Sequence, residues 1–234
     1  MRLPIEMGLS GPLHIRQERI CSEHTACRLM YVSDIHLRRG RALQLSQQVL
    51  DAAVQARPDI VLLGGDVVDQ RSQLPALAEL VGTLARLAPV VAVSGNHDRA
   101  VGGSAVRDAI VAGGGTWIER QVFELPHHGR RIVVAGPQAP FQRCGEYHVL
   151  CAHNPSIWKH ARSAGYDLVL AGHLHGCQLV AFRYRNRLYP GAWFYRYNYL
   201  GHRHGSARLL VSRGVSDRLP IRWRCPREVL LCHI

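Results

Sequence analysis

The sequence predicts an α/β fold whose first half is a parallel sheet with polar loops at the carboxyl ends of its strands. Between residues 28 and 115, short apolar runs ending in polar or glycine-containing loops alternate with amphipathic helical stretches. Each repeat takes about 30 residues, the length of one crossover unit. From about residue 117 the pattern changes to short β-rich runs. We therefore expect a second sheet packed on the first, with helices outside.

Local signals place the elements of the first half in order. Residues 28–33 predict a strand, and the helix after it ends before Arg57-Pro58 because a residue preceding proline avoids the helical region. The apolar run 59–66 predicts a strand buried on both faces, and residues 74–88 predict a helix with Pro75 in its first turn. The third unit is a strand from residue 89 and a helix over 106–115 that glycine closes.

The second half is predicted to be mostly strands, with one helix near residues 156–164. The aromatic stretch 192–199 alternates like a strand with one packed face. Alternatively, its aromatic side chains form an apolar wall for an acyl chain or a nucleobase. A third interpretation is a belt at a membrane interface. The expected strands are residues 117–125, 131–136, 147–153, 167–173, 177–182, 207–212 and 228–234.

We expect one domain over residues 28–234, preceded by an N-terminal segment, 1–27, in which residues 13–20 could form an edge strand. Two histidine pairs in this chain, His127-His128 and His202 with His204, are interpreted as exposed loop residues. The seven cysteines lack a CxxC pair and are expected to be free thiols. No apolar run approaches the roughly 18–20 residues of a membrane span, and the N-terminus lacks a secretory h-region. We therefore expect a cytoplasmic location, with peripheral contact to the inner membrane as a further option.

The formal net charge is +12, and all basic residues except Lys159 are arginine. Such a field attracts polyanions, which include phosphorylated small molecules, nucleic acid and acidic lipid headgroups. An arginine excess spread over a solvated surface would give the same net charge. Charge alone therefore does not identify the substrate.

Five short segments place metal-ligating residue types where predicted strands end. Aspartate, asparagine and histidine together suit divalent manganese, iron or zinc. In an Asp-x-His or His-x-His triplet on an extended strand end, residues i and i+2 point to the same side, so two ligands can reach one ion. Each segment alone is weak, but all five share a strand-to-loop junction, which indicates one metal site. They are Ser33-Asp34-Ile35-His36, Gly65-Asp66-Val67-Val68-Asp69, Gly95-Asn96-His97-Asp98, Ala152-His153-Asn154-Pro155 and Gly172-His173-Leu174-His175-Gly176.

This ordered set resembles the calcineurin-like metallophosphoesterase superfamily from about residue 28 to the C-terminus. The segments SDIHL, GGDVVD, SGNHD and AHNP are similar to its bacterial branch, which includes YkuE- and YaeI-type phosphodiesterases and hydrolases of UDP-2,3-diacylglucosamine. The resemblance implies a four-layer α/β/β/α sandwich of two mixed sheets flanked by helices. It also implies two divalent metal ions, manganese first with iron or zinc as alternatives, and hydrolysis by in-line attack of a metal-bridging hydroxide.

By motif position, the resemblance assigns the first metal to Asp34, His36, Asp66 and His175. It assigns the second metal to Asp66, Asn96, His153 and His173. His97 is the implied catalytic histidine, oriented by Asp98, whereas Asp69 is interpreted as a turn or capping residue. Arginines near the motifs are candidate substrate-binding residues because guanidinium forks suit phosphate oxygens. They are Arg38, Arg39, Arg41 and Arg99.

These residues predict an enzyme that hydrolyses phosphodiester or pyrophosphate bonds in a phosphorylated small molecule or a lipid-linked substrate, UDP-2,3-diacylglucosamine among them. Alternatives are a phosphomonoesterase or a nuclease drawn to nucleic acid by the basic field. A third alternative is a metal-binding scaffold without activity, which usually requires lost ligands. None of the ligands is lost in this chain.

Overall fold

The computed structural model describes residues 5–9, 11–20, 26–143 and 147–234. Its helices are α1 (Ala42–Ala56), α2 (Leu74–Ala85), α3 (Asn96–Ala112), α4 (Trp158–Ala164) and α5 (Gly191–Phe194). Its strands are β1 (Ile5–Met7), β2 (His14–Arg19), β3 (Arg28–Val32), β4 (Ile60–Leu63), β5 (Val90–Ala92), β6 (Thr116–Trp117), β7 (Val122–His127), β8 (Arg130–Ala135), β9 (Tyr147–Cys151), β10 (Leu168–Ala171), β11 (Val180–Tyr184), β12 (Arg187–Pro190), β13 (Gly201–His204), β14 (Ala207–Val211), β15 (Ile221–Trp223) and β16 (Glu228–His233).

The first sheet has six strands in the order β2-β16-β3-β4-β5-β6. Strands β3 to β6 run parallel, whereas β16 is antiparallel to β3. Side chains alternate between its faces: Met30 and Val32 belong to one core, and Leu29 and Tyr31 belong to another. Helices α1, α2 and α3 cover the first of these cores, to which Leu77 contributes.

The second sheet has the order β13-β14-β10-β9-β8-β7, with four parallel strands between antiparallel outer strands. Leu168 and Leu170 face the first sheet, whereas Val169 packs with Trp158 of α4 on the outer face. The layers are therefore helix, sheet, sheet and helix. The prediction of a four-layer α/β/β/α sandwich with two mixed sheets is confirmed.

Three details of the predicted layout are wrong. The third helix does not begin at residue 106 but at Asn96, directly after β5, so Asn96 and His97 lie in its first turn. The C-terminal strand β16 does not join the second sheet but lies in the first, between β2 and β3. Strand β6 also extends the first sheet. A strand buried on both faces has the same apolar pattern in either sheet, so its sequence could not distinguish them.

Three of the four paired histidines and the aromatic stretch also differ from expectation. His128 lies in an exposed turn as expected, but His127 is the last residue of β7 in a hairpin with β8, and His202 and His204 lie in β13 rather than in loops. The aromatic stretch is not a strand: Trp193 and Phe194 end the one-turn helix α5 and are exposed, and turns follow. Strands β11 and β12 form a separate hairpin before it.

The N-terminal segment contributes β2 at the edge of the first sheet and β1, which pairs with β15. Cys21 and Cys144 lie outside the described residues. The other five cysteines are free thiols, and all of them except Cys177 are buried. Among the described helices, none has the length and apolar content needed to cross a bilayer.

Candidate metal centre

The five motif segments meet where parallel strands of the two sheets end. Asp34 follows β3, Asp66 follows β4, Asn96 follows β5, His153 follows β9 and His173 follows β10. The sheets are joined there by the Tyr31 hydroxyl, which donates to the Ala152 carbonyl at 2.7 Å. All seven predicted ligands are therefore at one edge of the sandwich, as expected for groups at the carboxyl ends of parallel strands.

The backbone conformation that lets the predicted ligands converge differs from the predicted one. The ligands are not on extended strand ends; five of the seven have positive φ, between 50° and 73°. Left-handed backbone is rare outside glycine and costs about 1–3 kcal/mol where other residues adopt it. Strain repeated at five ligands marks a functional site rather than a folding requirement. These residues are Asp34, His36, Asp66, His173 and His175.

The first cluster contains Asp34, His36 and His175, all buried. The Nε2 atoms of His36 and His175 lie 3.3 Å apart, and Asp34 Oδ1 lies 3.5 Å from His175 Nε2. The Asp34 carboxylate is held in place because it accepts from the Ser33 hydroxyl at 2.7 Å and from the His173 amide. Asp66 Oδ2 lies 4.0 Å from His36 Nε2.

The second cluster surrounds the Nε2 atom of His153. Asp66 Oδ2 and Asn96 Oδ1 each lie 3.2 Å from that nitrogen, and His173 Nδ1 lies 3.0 Å from it. Asp66 Oδ1 accepts from the His97 amide at 2.8 Å, which leaves Oδ2 directed at the ligands. Since Oδ2 of Asp66 approaches a histidine of each cluster, it occupies the position of a shared ligand.

The outer ring nitrogens determine which nitrogens face the centre. Nδ1 of His36 contacts Asp69 at 2.6 Å, Nδ1 of His153 contacts the Gly64 carbonyl at 3.0 Å, and Nδ1 of His175 contacts the Ser216 carbonyl at 3.1 Å. Each Nδ1 therefore has an acceptor for a proton, so each Nε2 is the nitrogen that can offer a lone pair inward to a metal ion. Facing lone pairs repel each other unless a cation or proton lies between them. The donor set thus fits divalent metal ions.

The electrostatics of the centre suit metal ligands. Burial alone would raise the pKa of Asp34 and Asp66, but the surrounding histidines lower both below their usual range. Burial alone would lower the pKa of His153, but its contact with Asp66 raises the value to about 9, so a metal ion bound there would displace a proton from Nε2. Burial dominates at His175 and lowers its pKa to about 4. The two carboxylates are therefore ionised at neutral pH, as ligands must be.

His97 lies at the open side of the centre, with 31% of its side chain exposed. Its Nδ1 contacts Asp69 Oδ1 at 2.9 Å, and the same oxygen accepts from His36. The expectation that Asp98 orients His97 is not what the contacts show. Asp98 is fully buried and accepts from the amides of Gly95, Val67 and Val68, so it closes the start of α3 instead.

The four candidate substrate arginines differ in exposure and in contacts. Arg38 is half-buried and donates to the Asp217 carbonyl at 3.3 Å, whereas Arg39 is exposed. Arg41 precedes the first residue of α1, and Arg99 is exposed and donates to the Ser94 hydroxyl at 2.8 Å. Their role in substrate binding stays a prediction.

Sequence reasoning missed three contributors to the centre. Asp69 was visible in the Gly-Asp-x-x-Asp motif, but only its contacts distinguish an orienting residue from a turn residue. The loop 212–217 supports the first cluster, because the Ser216 amide donates to the Asp34 carbonyl and its own carbonyl accepts from His175. Burial and the charge of His153 lower the pKa of His173, and the exposed Arg218 adds to that shift. No sequence signal pointed to Arg218.

Two known proteins are similar in sequence to this chain over most of its length. The chain is 26% identical over 224 residues to phosphodiesterase YaeI of Escherichia coli, covering 88% of this chain and 82% of that protein. It is 23% identical over 224 residues to metallophosphoesterase YkuE of Bacillus subtilis, covering 86% and 77% respectively.

Solved structures show the same fold. TT1561 of Thermus thermophilus superposes with a TM-score of 0.54 at 11% identity, covering 82% of this chain and 92% of that chain. A dimetal phosphatase from Danio rerio gives 0.50 at 13% identity, covering 84% and 90%. The family model for the calcineurin-like phosphoesterases matches residues 27–177. The chain therefore belongs to the calcineurin-like phosphoesterases, a metal-dependent family of phosphoric ester hydrolases.

Proposed function

We propose that this chain hydrolyses phosphodiester or pyrophosphate bonds at a dinuclear metal centre. The observation that carries the proposal is the pair of clusters whose histidine nitrogens face each other on either side of Asp66. Asp34, His36, Asp66 and His175 would hold one ion, and Asp66, Asn96, His153 and His173 the other. Manganese is our first choice because oxygen and imidazole ligands are mixed, with iron or zinc as alternatives.

When bound, two such ions polarise phosphoryl oxygens and lower the pKa of coordinated water. The chain itself positions the leaving group. His97 keeps its Nδ1 on Asp69, which leaves Nε2 of a partly exposed ring free to donate a proton to the departing oxygen. Asp69 is ionised, because its bonds to His36 outweigh the effect of burial and lower its pKa. Asp69 therefore positions both the candidate ligand His36 and the candidate acid His97.

We further propose that the substrate is a phosphorylated lipid or glycolipid such as UDP-2,3-diacylglucosamine. The basic surface and the exposed aromatic side chains near residues 182–195 support this choice over a small metabolite. We expect the protein in the cytoplasm, with peripheral contact to the inner membrane. The five free cysteines of the described chain support a reducing compartment.

Hydrolysis is expected to depend on added metal and to favour diesters. Purified protein stripped with EDTA should lose hydrolysis of bis(p-nitrophenyl) phosphate and regain it with Mn²⁺, because the clustered lone pairs need a cation. Activity on p-nitrophenyl phosphate should be at least about tenfold lower. Release of UMP from UDP-2,3-diacylglucosamine would support the lipid substrate. Faster turnover of the monoester, or of duplex DNA, would replace the proposed reaction with one of its alternatives.

Asp69→Asn is expected to lower kcat about 10- to 100-fold with little change in KM, because an outer hydrogen bond to both His36 and His97 is weakened. Weaker metal binding through His36 should be overcome by saturating Mn²⁺. The loss that persists at saturation reports on His97. Asp51→Asn, an exposed aspartate on α1 that bonds Gln47, is the matched control. Full activity of the Asp69 variant would remove Asp69 from the proposed chemistry.

A further inference from the structure

Residues 179–195, which we call the aromatic arm, carry a group of large side chains that the protein leaves uncovered. The arm comprises the β11–β12 hairpin and the one-turn helix α5. Trp193 is 67% exposed and Phe194 is 80% exposed, and Phe182, Tyr184 and Tyr195 are exposed as well. Water-exposed aromatic surface of this kind marks a binding surface.

The arm is an ordered structure rather than a loose loop. Arg187 donates to the Ala192 carbonyl at 2.7 Å, and the buried Asn198 side chain donates to the Leu188 carbonyl at 2.9 Å. The Phe182 and Tyr189 rings stack with centroids 4.8 Å apart, and the Trp193 ring meets Tyr189 edge-on at 5.7 Å. These rings are therefore held in position, with their outer surfaces facing water.

The uncovered apolar surface continues beyond the arm. Leu179 bridges Trp223 of β15, and β15 pairs with β1. Of the sixteen exposed large hydrophobic side chains in the described residues, eleven lie in residues 179–195, 219–223 and 5–7. Several of these are aliphatic, including Leu219 and Ile221. Nucleic acid bases stack on aromatic rings but gain little from aliphatic groups, so this mixture favours an acyl phase.

The charge of the region is complementary to an anionic surface. No acidic residue occurs between Asp167 and Asp217, whereas seven arginines do. Arg183 and Arg185 of the hairpin line an open groove of about 500 Å³ together with Arg203 and Arg208. One acidic residue, Glu18, also lines this groove. Long arginine side chains beside exposed aromatic groups match the interface of a membrane that contains acidic lipids.

The apolar surface is connected to the metal centre. Gln178 lies three residues after the candidate ligand His175, and its buried side chain donates to the carbonyls of Leu219 and Ile221. The same side chain accepts from the amides of Arg218 and Leu219. Gln178 therefore ties residues 218–221 to the segment that carries His175.

We propose that the aromatic arm and residues 219–223 dock on the surface of an anionic phospholipid bilayer. The aromatic and aliphatic side chains enter the interface, and the arginines contact lipid phosphates. Docking presents phosphoesters of membrane lipids to the metal centre, and this second part rests on the proposed function. The docking itself does not depend on catalysis.

Vesicle sedimentation tests the docking directly. Wild-type protein should bind vesicles of phosphatidylcholine with phosphatidylglycerol, bind phosphatidylcholine alone more weakly, and dissociate as salt is raised. Trp193→Ala/Phe194→Ala should lower the partition coefficient at least about tenfold, because two exposed apolar side chains are removed. Arg183→Gln/Arg185→Gln should remove the preference for phosphatidylglycerol. EDTA should leave binding unchanged.

The control is Leu43→Ala/Val54→Ala on α1, which removes side chains that are 84% and 61% exposed and should bind like wild type. All variants should keep the wild-type melting temperature and the wild-type rate on a soluble aryl diester. Absence of vesicle binding, wild-type binding by the Trp193/Phe194 variant, or a dimer in solution that this variant dissociates would each overturn the docking. Binding without any diesterase activity would overturn the proposed function alone.

Discussion

Asp66→Ala is expected to lower kcat/KM for an aryl phosphodiester about 1,000-fold or more, the largest single effect in this chain. Asp66 is the residue whose carboxylate approaches histidines of both clusters, at 4.0 Å from His36 and 3.2 Å from His153. Its removal takes the shared carboxylate oxygen from both clusters and leaves the His97 amide without its acceptor. The loss should therefore exceed that from any ligand of one cluster alone.

Metal analysis separates this explanation from a general loss of structure. The Asp66 variant should hold about one metal ion per chain or fewer, whereas wild type should hold about two. Asp108→Ala, which removes an exposed carboxylate on α3 paired with Arg107, should retain both metal and activity. Two tightly bound ions in the Asp66 variant would show that this carboxylate is not shared.

The parts of the fold that the sequence predicted are those with local signals. Each residue of β4 is buried, and its apolar run is bounded by Asp59 and by glycines, so its strand character was readable. The position of β16 was not readable, because its partners β2 and β3 are separated from it by about two hundred residues. Sheet membership is decided by long-range packing, which a short apolar run does not encode.

The candidate site also has features that the sequence predicts and features that it does not. The candidate ligands could be named from the sequence because the chemistry of carboxylate, amide and imidazole is carried by residue type. The backbone conformation that brings the candidate ligands together was not predictable, because left-handed backbone at Asp34 and His175 depends on contacts with other loops. The role of Asp69 was not predictable either, since only a folded chain places its carboxylate between His36 and His97.

The aromatic arm shows a further limit of predicting secondary structure from sequence periodicity. Alternating aromatic residues from Trp193 onward have the period of a strand, but strand character requires a partner with free backbone groups. The chain instead closes a helical turn, in which the Tyr195 amide donates to the Gly191 carbonyl. Exposure of Trp193 and Phe194 then follows from the turn, and no sequence period indicates it.

Gly95→Ala is expected to reduce activity about 100- to 1,000-fold, although residue 95 carries no functional group. Gly95 is the last residue before α3, and a methyl group there would overlap the Asp66 carboxylate and its amide nitrogen. Its Cβ would also lie 2.7 Å from Asp66 Cγ. The backbone of Asp66 cannot move freely, because its carbonyl accepts from the His36 amide at 3.0 Å. Relief of the overlap must therefore displace the shared ligand.

The same substitution elsewhere in the chain should have the opposite effect, which makes it a matched control. Gly82 lies within α2, and an added methyl group would meet the Gly113 carbonyl at 3.6 Å, an ordinary contact. Gly82→Ala should raise the free energy of unfolding by about 0.5–1 kcal/mol through helix propensity. Gly95→Ala should lower it by about 1–3 kcal/mol through overpacking. Both are measured by thermal denaturation, alongside metal content and diesterase rate. A Gly95 variant that binds metal and hydrolyses diesters like wild type would show that Asp66 can move without cost, because the overlap leaves no other way to accept the methyl group.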